Sequence, residues 1–203
     1  METAENLPIS TSAILDFWFL APTAVGYGQA RAEWFRKSDA FDAEIRQRFA
    51  PAIEQCIALG ELSVEQHAAL SVEQALARII LLDQMTRNAY RDTARAFAGD
   101  ALALSGSLAL LASGRDLQLG AVQRWFAYLP LEHAEDLPLQ ERSVALFAQL
   151  AKEQPYLRSA YEYAVKHRNV IARFGRFPHR NQILGRCSST EELEFLKQPG
   201  SRF

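Results

Sequence analysis

Residues 62–88 read LSVEQHAALSVEQALARIILLDQMTRN, and this stretch decides the fold class. Leu62-Ser-Val-Glu-Gln66 recurs eight residues later as Leu70-Ser-Val-Glu-Gln74. In each copy a Ser is followed three positions on by a Gln. That spacing lets the Ser side chain and the Gln side chain satisfy each other's free backbone N–H groups at a helix start. The pair predicts a short helical turn and then a long helix from Ser71 to about Asn88. Leu76, Ile79, Ile80, Leu81, Leu82 and Met85 make the long helix apolar nearly all round, the mark of a central, buried helix. Eight residues is far below the period of a solenoid repeat, so the duplication is local punctuation.

The same periodicity extends in both directions. Ser10 to Leu20 reads as a short helix with Ile14, Phe17 and Trp18 on one face, and Pro22, Gly26 and Gly28 make the loop after it. Ser38 caps a helix carrying Phe41, Ile45, Phe49 and Ile53 up to Gly60, with a kink or break expected at Pro51. Further helices are expected from about Thr93 to Ala112, over 120–127, 137–151 and 156–174, and from Ser189, where Glu192 completes another capping box before Pro199. No alternating, β-branched run argues for a strand. The expectation is one all-α domain of about seven to nine helices, with residues 1–9 and 198–203 as flexible ends.

Composition limits the partners. Of 203 residues, 49% are hydrophobic and 23% charged, enough for a core and a solvated surface. A net charge of −2 provides no global field for nucleic acid. The start METAENLPIS lacks a basic region ahead of an apolar one, and the apolar runs near 75–82 and 101–112 are short for a bilayer, so neither secretion nor membrane insertion is expected. Cys56 and Cys187 fit no zinc spacing and no disulfide framework, which suits a reducing cytoplasm.

Polar residues concentrate in three places. In the first, Asp83 lies on the buried stripe of the central helix and Arg87 one turn further on the same face. A buried carboxylate needs a partner, so either the two pair internally or both point into a polar cavity. The second, Tyr128-Leu-Pro-Leu-Glu-His-Ala-Glu-Asp136, places Glu132, His133, Glu135 and Asp136 around a turn after Pro130. Here the choice is an acidic loop capping the next helix or a set of general acid/base groups. Glu132-His-x-Glu135 offers hard metal ligands, but the spacing matches no established metal motif and HExxH is absent, so no metal is assigned. The third is RFGRFPHRNQILGR, residues 173–186, which extends back to Lys166 as six Lys or Arg in twenty-one positions without an acid. Arg173, Arg176, Arg180 and Arg186 must pair internally or be offered to an anion.

The leading expectation is a polar site for a small anionic ligand, bound by Asp83, Arg87, Arg173, Arg176, Arg180 and Asn181. Glu132, His133 and His179 are the candidate acid/base residues. The other reading is a helical scaffold for a protein partner, with the polar clusters as salt-bridge hubs. His167 reads as a core histidine, His67 as a surface one, and Trp18, Trp34 and Trp125 as core. No glycine-rich phosphate loop or dinucleotide fingerprint occurs, so no nucleotide cofactor is expected.

Asp16-Phe-Trp-Phe19, Trp34-Phe35, Leu81-Leu-Asp-Gln84 with Arg87-Asn88, Leu129-Pro-Leu-Glu-His133, and Arg173-Phe-Gly-Arg-Phe-Pro-His-Arg-Asn181 with Leu184-Gly-Arg186 form a recognisable set. Together they resemble the bacterial family catalogued as domain of unknown function 924, over nearly the whole chain from Ile14 to Leu196. The resemblance implies an all-helical fold similar to the tetratricopeptide class and implies no activity. Met85 stands where that family usually carries a bulky aromatic, and no tetratricopeptide consensus repeat is legible.

Overall fold

Both repeated pentapeptides start helices, as their spacing requires. Ser63 N–H donates to Gln66 Oε1 at 2.8 Å and Ser71 N–H to Gln74 Oε1 at 2.7 Å, with the Ser hydroxyls accepting in return. The structure, a computed structural model, describes residues 7–201; the expected flexible positions 1–6 and 202–203 lie outside the described residues. Every regular element among the described residues is helical. The chain forms two compact units, one of residues up to Arg91 with Arg95–Pro130, the other of Asp92–Ala94 with Leu131 onward.

In the first unit α1 (Thr11–Phe19), α2 (Asp39–Leu59) and α3 (Val64–Ala69) precede the central helix. That helix is α4 (Val72–Ile79), a π-helical turn (Ile80–Met85) and α5 (Thr86–Ala89) in continuous succession. It packs against α1, α2 and α6 (Asp100–Ala112), and Leu76, Ile80, Leu81, Leu82 and Met85 are fully enclosed. The π turn widens the ladder: both the N–H and the hydroxyl of Thr86 bond the Leu81 carbonyl, the hydroxyl at 2.7 Å. An extra residue per turn re-aims the side chains beyond it, a device concentrated at functional or closely packed positions. Here Gly99 approaches so closely that an added Cβ would meet the Leu82 backbone, with its Cα and carbonyl carbon 2.9 Å away. Only glycine accommodates that approach.

Several sequence expectations shift. Pro51 does not break α2, which runs unbroken from Asp39 to Leu59. The helix expected from Thr93 divides into a 3-10 turn (Ala94–Phe97) and α6, with Gly99 at the corner. By length and composition Ala94–Ala112 is apolar enough to cross a membrane, with mean hydropathy 1.2, although the corner interrupts it. α7 (Ala121–Glu132) continues through Pro130 instead of turning there. Burial of Leu129 and Leu131 outweighs the amide that proline lacks.

The second unit contains the last residues of α7, then α8 (Leu137–Glu153) and α9 (Arg158–Phe174), which pack along each other as a helical hairpin. Gly175 ends α9 in the left-handed conformation, φ 69°, and its N–H donates to the Ile171 carbonyl at 2.8 Å. Phe177 then turns inward onto Val170 and Ile171, with Phe174 and Phe195 beside them. α10 (Thr190–Phe195) begins at the Ser189–Glu192 capping box, as expected.

Candidate functional site

In the second unit α7 ends in a buried carboxylate. Glu132 is 2% exposed, and Gln140 on α8 locks the helix end by donating to the carbonyls of Glu132 at 2.6 Å and Ala134 at 2.8 Å. Asp136 caps α8 through the Leu139 N–H at 2.9 Å, the capping role expected of the acidic turn. From α9, His167 brings Nδ1 to 2.9 Å from Glu132 Oε1 and 2.9 Å from the Tyr163 carbonyl. A carbonyl accepts only, and so does an ionised carboxylate, so these two contacts call for a proton on Nδ1. Glu132 Oε2, Gln140 Oε1 and Ser143 Oγ are buried without a hydrogen-bond partner among the described residues.

Two further histidines complete the cluster. The His133 ring centroid lies 6.2 Å from that of His167, and Phe177 stands edge-on to His167 at 5.5 Å and 5.6 Å from His179. Burial, reinforced by the adjacent Arg180 charge, pushes His179 down to about 3. It is therefore a neutral donor and acceptor at pH 7. Arg180 is 7% exposed and lays its guanidinium over the Phe177 ring at 4.6 Å.

The basic segment pairs most of its guanidinium groups internally. Arg186 grips Glu135 through two nitrogens at 2.6 and 2.9 Å, and Glu135 also accepts the Phe177 N–H at 2.8 Å. Partial burial opposes ionisation of Glu135, but Arg186 and that N–H hold it below its ordinary range. Arg173 meets Glu191 at 2.8 Å. Asn181 is enclosed, donating to Ser188 at 3.0 Å and accepting from Arg186 at 3.0 Å. Arg176 holds Glu192 through two bonds of 2.7 and 2.8 Å and donates to the Cys187 carbonyl at 2.8 Å.

The Arg176 bond holds the 2%-exposed Glu192 down at about 2, from 4.5. A depressed carboxyl contributes stability that is complete above about pH 4.5 and is lost as pH falls toward 2. Arg176→Ala is expected to destabilise the folded chain at pH 7, because it leaves Glu192 without its cationic partner. Thermal unfolding of both proteins across pH 2–7 checks it: the difference narrows below about pH 4.5. A pH-independent difference would rule the ion pair out as its cause.

Asp83 and Arg87 belong to the first unit and pair there. The enclosed Asp83 carboxylate lies 3.2 Å from Arg87 Nη1, which is also 2.9 Å from Asp100, and Gln84 Nε2 donates to Asp83 at 2.5 Å. Among the described residues no group of three His, Cys, Asp or Glu is arranged to hold a metal ion. His67, read as a surface residue, is 8% exposed with Nε2 3.3 Å from Ser105 on α6. α3 lies on α6 and carries it inward. Sequence alone does not identify His167 as the partner of Glu132. The available signals are a carboxylate ending the apolar run Leu129–Leu131 and a histidine on the buried stripe of α9.

The family model described as a bacterial protein of unknown function, DUF924, matches residues 14–200. A solved structure of a protein of unknown function from Agrobacterium tumefaciens is similar to the chain at 34% identity, covering 92% of this chain and 96% of that one, with a TM-score of 0.76. No curated protein matches.

Proposed function

The chain belongs to the bacterial DUF924 family, and we propose for it an acid–base site in the second unit, acting on a small anionic molecule. The observation that carries the proposal is the buried contact of 2.9 Å between Glu132 Oε1 and His167 Nδ1. A carboxylate on Nδ1 orients the imidazole, sets its tautomer and stabilises the imidazolium that forms when Nε2 takes a proton. Neutral His179 is suited to donate a hydrogen bond, and Arg180 supplies the positive charge for an anionic group. Arg173, Arg176 and Arg186 are assigned to holding the segment together, because each is already paired with a glutamate. The same pairings weigh against a nucleic-acid surface. Two free cysteines accord with a cytoplasmic setting.

The test is nitrogen-15 NMR of the histidine side chains. His167 is expected as the Nδ1–H tautomer, with its signals perturbed by at least one member of a panel of small carboxylates and phosphate esters. Glu132→Gln removes that response while the fold persists. An Nε2–H tautomer, or a panel that leaves His133, His167 and His179 all unmoved, rejects the site.

The internal pairing of three arginines also favours a second reading, a helical scaffold for a protein partner in which these groups are structural. Loss of partner binding without any histidine response to small anions would select it.

A further inference from the structure

Arg78, in the first unit, is a buried cation whose direct partners are neutral. It is 6% exposed, and its Nη2 donates to the carbonyls of Cys56 at 3.2 Å and Gly60 at 2.8 Å, at the C-terminal end of α2. Among the described residues no carboxylate lies within ion-pair distance of it. Three arginines of this unit hold carboxylates, Arg87 with Asp83 and Asp100, Arg91 with Asp42 and Arg95 with Glu54, whereas the partly buried bonds of Arg46 and Arg115, like those of Arg78, go to main-chain carbonyls. The end of a helix offers about half a charge, which leaves a buried guanidinium only partly compensated.

The same side chain lines a cavity of about 90 Å³ with Gln74, Ser10, Thr11, Cys56 and Leu70. Among the described residues the rest of its lining is Leu7 and Ile9, with no acid. α1 starts at this space: Ser10 is its N-cap, and its first turn holds no acidic residue. The positive end of the α1 dipole and the Arg78 guanidinium therefore share one small volume. Helix N-termini bind anions through their free N–H groups, and a second cation in the wall strengthens that preference. The thiol of Cys56 does not provide the missing charge, since burial raises it above its ordinary value in spite of Arg78. At roughly 30 Å³ per water, the cavity has room for about three waters, the scale of one small oxyanion and not of a metabolite.

We infer that this cavity binds a free tetrahedral oxyanion of the inorganic phosphate type, held by Arg78 and the N-terminus of α1. It lies in the first unit and rests on no part of the acid–base reading. Anion occupancy stabilises the folded chain, because the unfolded chain has no such site.

The test is thermal unfolding of the full chain in rising inorganic phosphate, with ionic strength held constant by sodium chloride. The melting temperature is expected to climb with the logarithm of phosphate concentration. Sulfate reproduces the climb and phenyl phosphate does not, since its ring exceeds the cavity. Arg78→Met abolishes the dependence, while Arg180→Met in the second unit keeps it. Should Arg78→Met fail to fold, Thr11→Val is read instead, with a several-fold weaker phosphate response expected. A wild-type melting temperature indifferent to phosphate, an undiminished response in the variant read, or a response lost only with Arg180 overturns the site. A response to phenyl phosphate alone overturns the assignment of a free ion.

Discussion

Replacing Arg87 with alanine lowers the unfolding free energy by about 3–5 kcal/mol, because it strands a carboxylate that has no access to water. Asp83 is 0% exposed, and its position in the π turn between α4 and α5 gives it no route to solvent without opening the central helix. Arg87 neutralises it at 3.2 Å and continues to Asp100 at 2.9 Å, where α6 begins. Asp100 is 22% exposed and rehydrates when the arginine is removed; Asp83 does not. The double replacement Asp83→Leu with Arg87→Met is therefore expected to recover most of the loss, since it removes the buried charge together with its partner. Urea denaturation of the three proteins provides the check, with the slope unchanged and only the midpoint moving. A loss under about 1 kcal/mol in Arg87→Ala would mean that Asp83 is protonated or hydrated in the folded chain.

Phe126→Ala is expected to cost a comparable 3–5 kcal/mol. Phe126 is fully buried on α7, and its ring lies 4.6 Å from Trp34, 5.4 Å from Phe19 and 5.6 Å from both Trp18 and Trp125. Truncation removes several edge-to-face contacts and leaves a cavity walled by rigid rings that cannot relax into it. Phe126→Leu keeps most of the volume and is expected to lose only about 1–1.5 kcal/mol. Near-ultraviolet circular dichroism and chemical denaturation report on the two changes together. Equal stability of the alanine and leucine variants would show that this aromatic cluster does not act as a packed unit.

These residues differ in how far the chain alone reveals their roles. The Asp83–Arg87 pair is visible as an i, i+4 spacing on a buried stripe. Trp18, Trp34 and Trp125 read as core from their aromatic neighbours, but Phe126 as the ring they share does not. In the second unit, Glu132, His133 and His179 stand out by residue type. The partner of Glu132 does not, because His167 enters from α9, thirty-five positions along the chain. The basic segment poses a question that composition cannot answer. Arg186 and Glu135 are 51 residues apart in sequence and 2.6 Å apart in space.

The amino-acid sequence by itself determined the helix starts at Ser38, Ser63, Ser71 and Ser189, the all-helical class and the buried character of residues 76–85. These arise from interactions within one or two turns, where the chain supplies both partners. Tertiary structure alone decided that a π turn interrupts the central helix, that Gly99 closes on Leu82, that α7 passes through Pro130, and which acid Arg173, Arg176 and Arg186 each hold. Those outcomes depend on which surfaces meet after helices form. A carboxylate or guanidinium takes its partner, its solvation and its protonation from groups the local sequence does not contain.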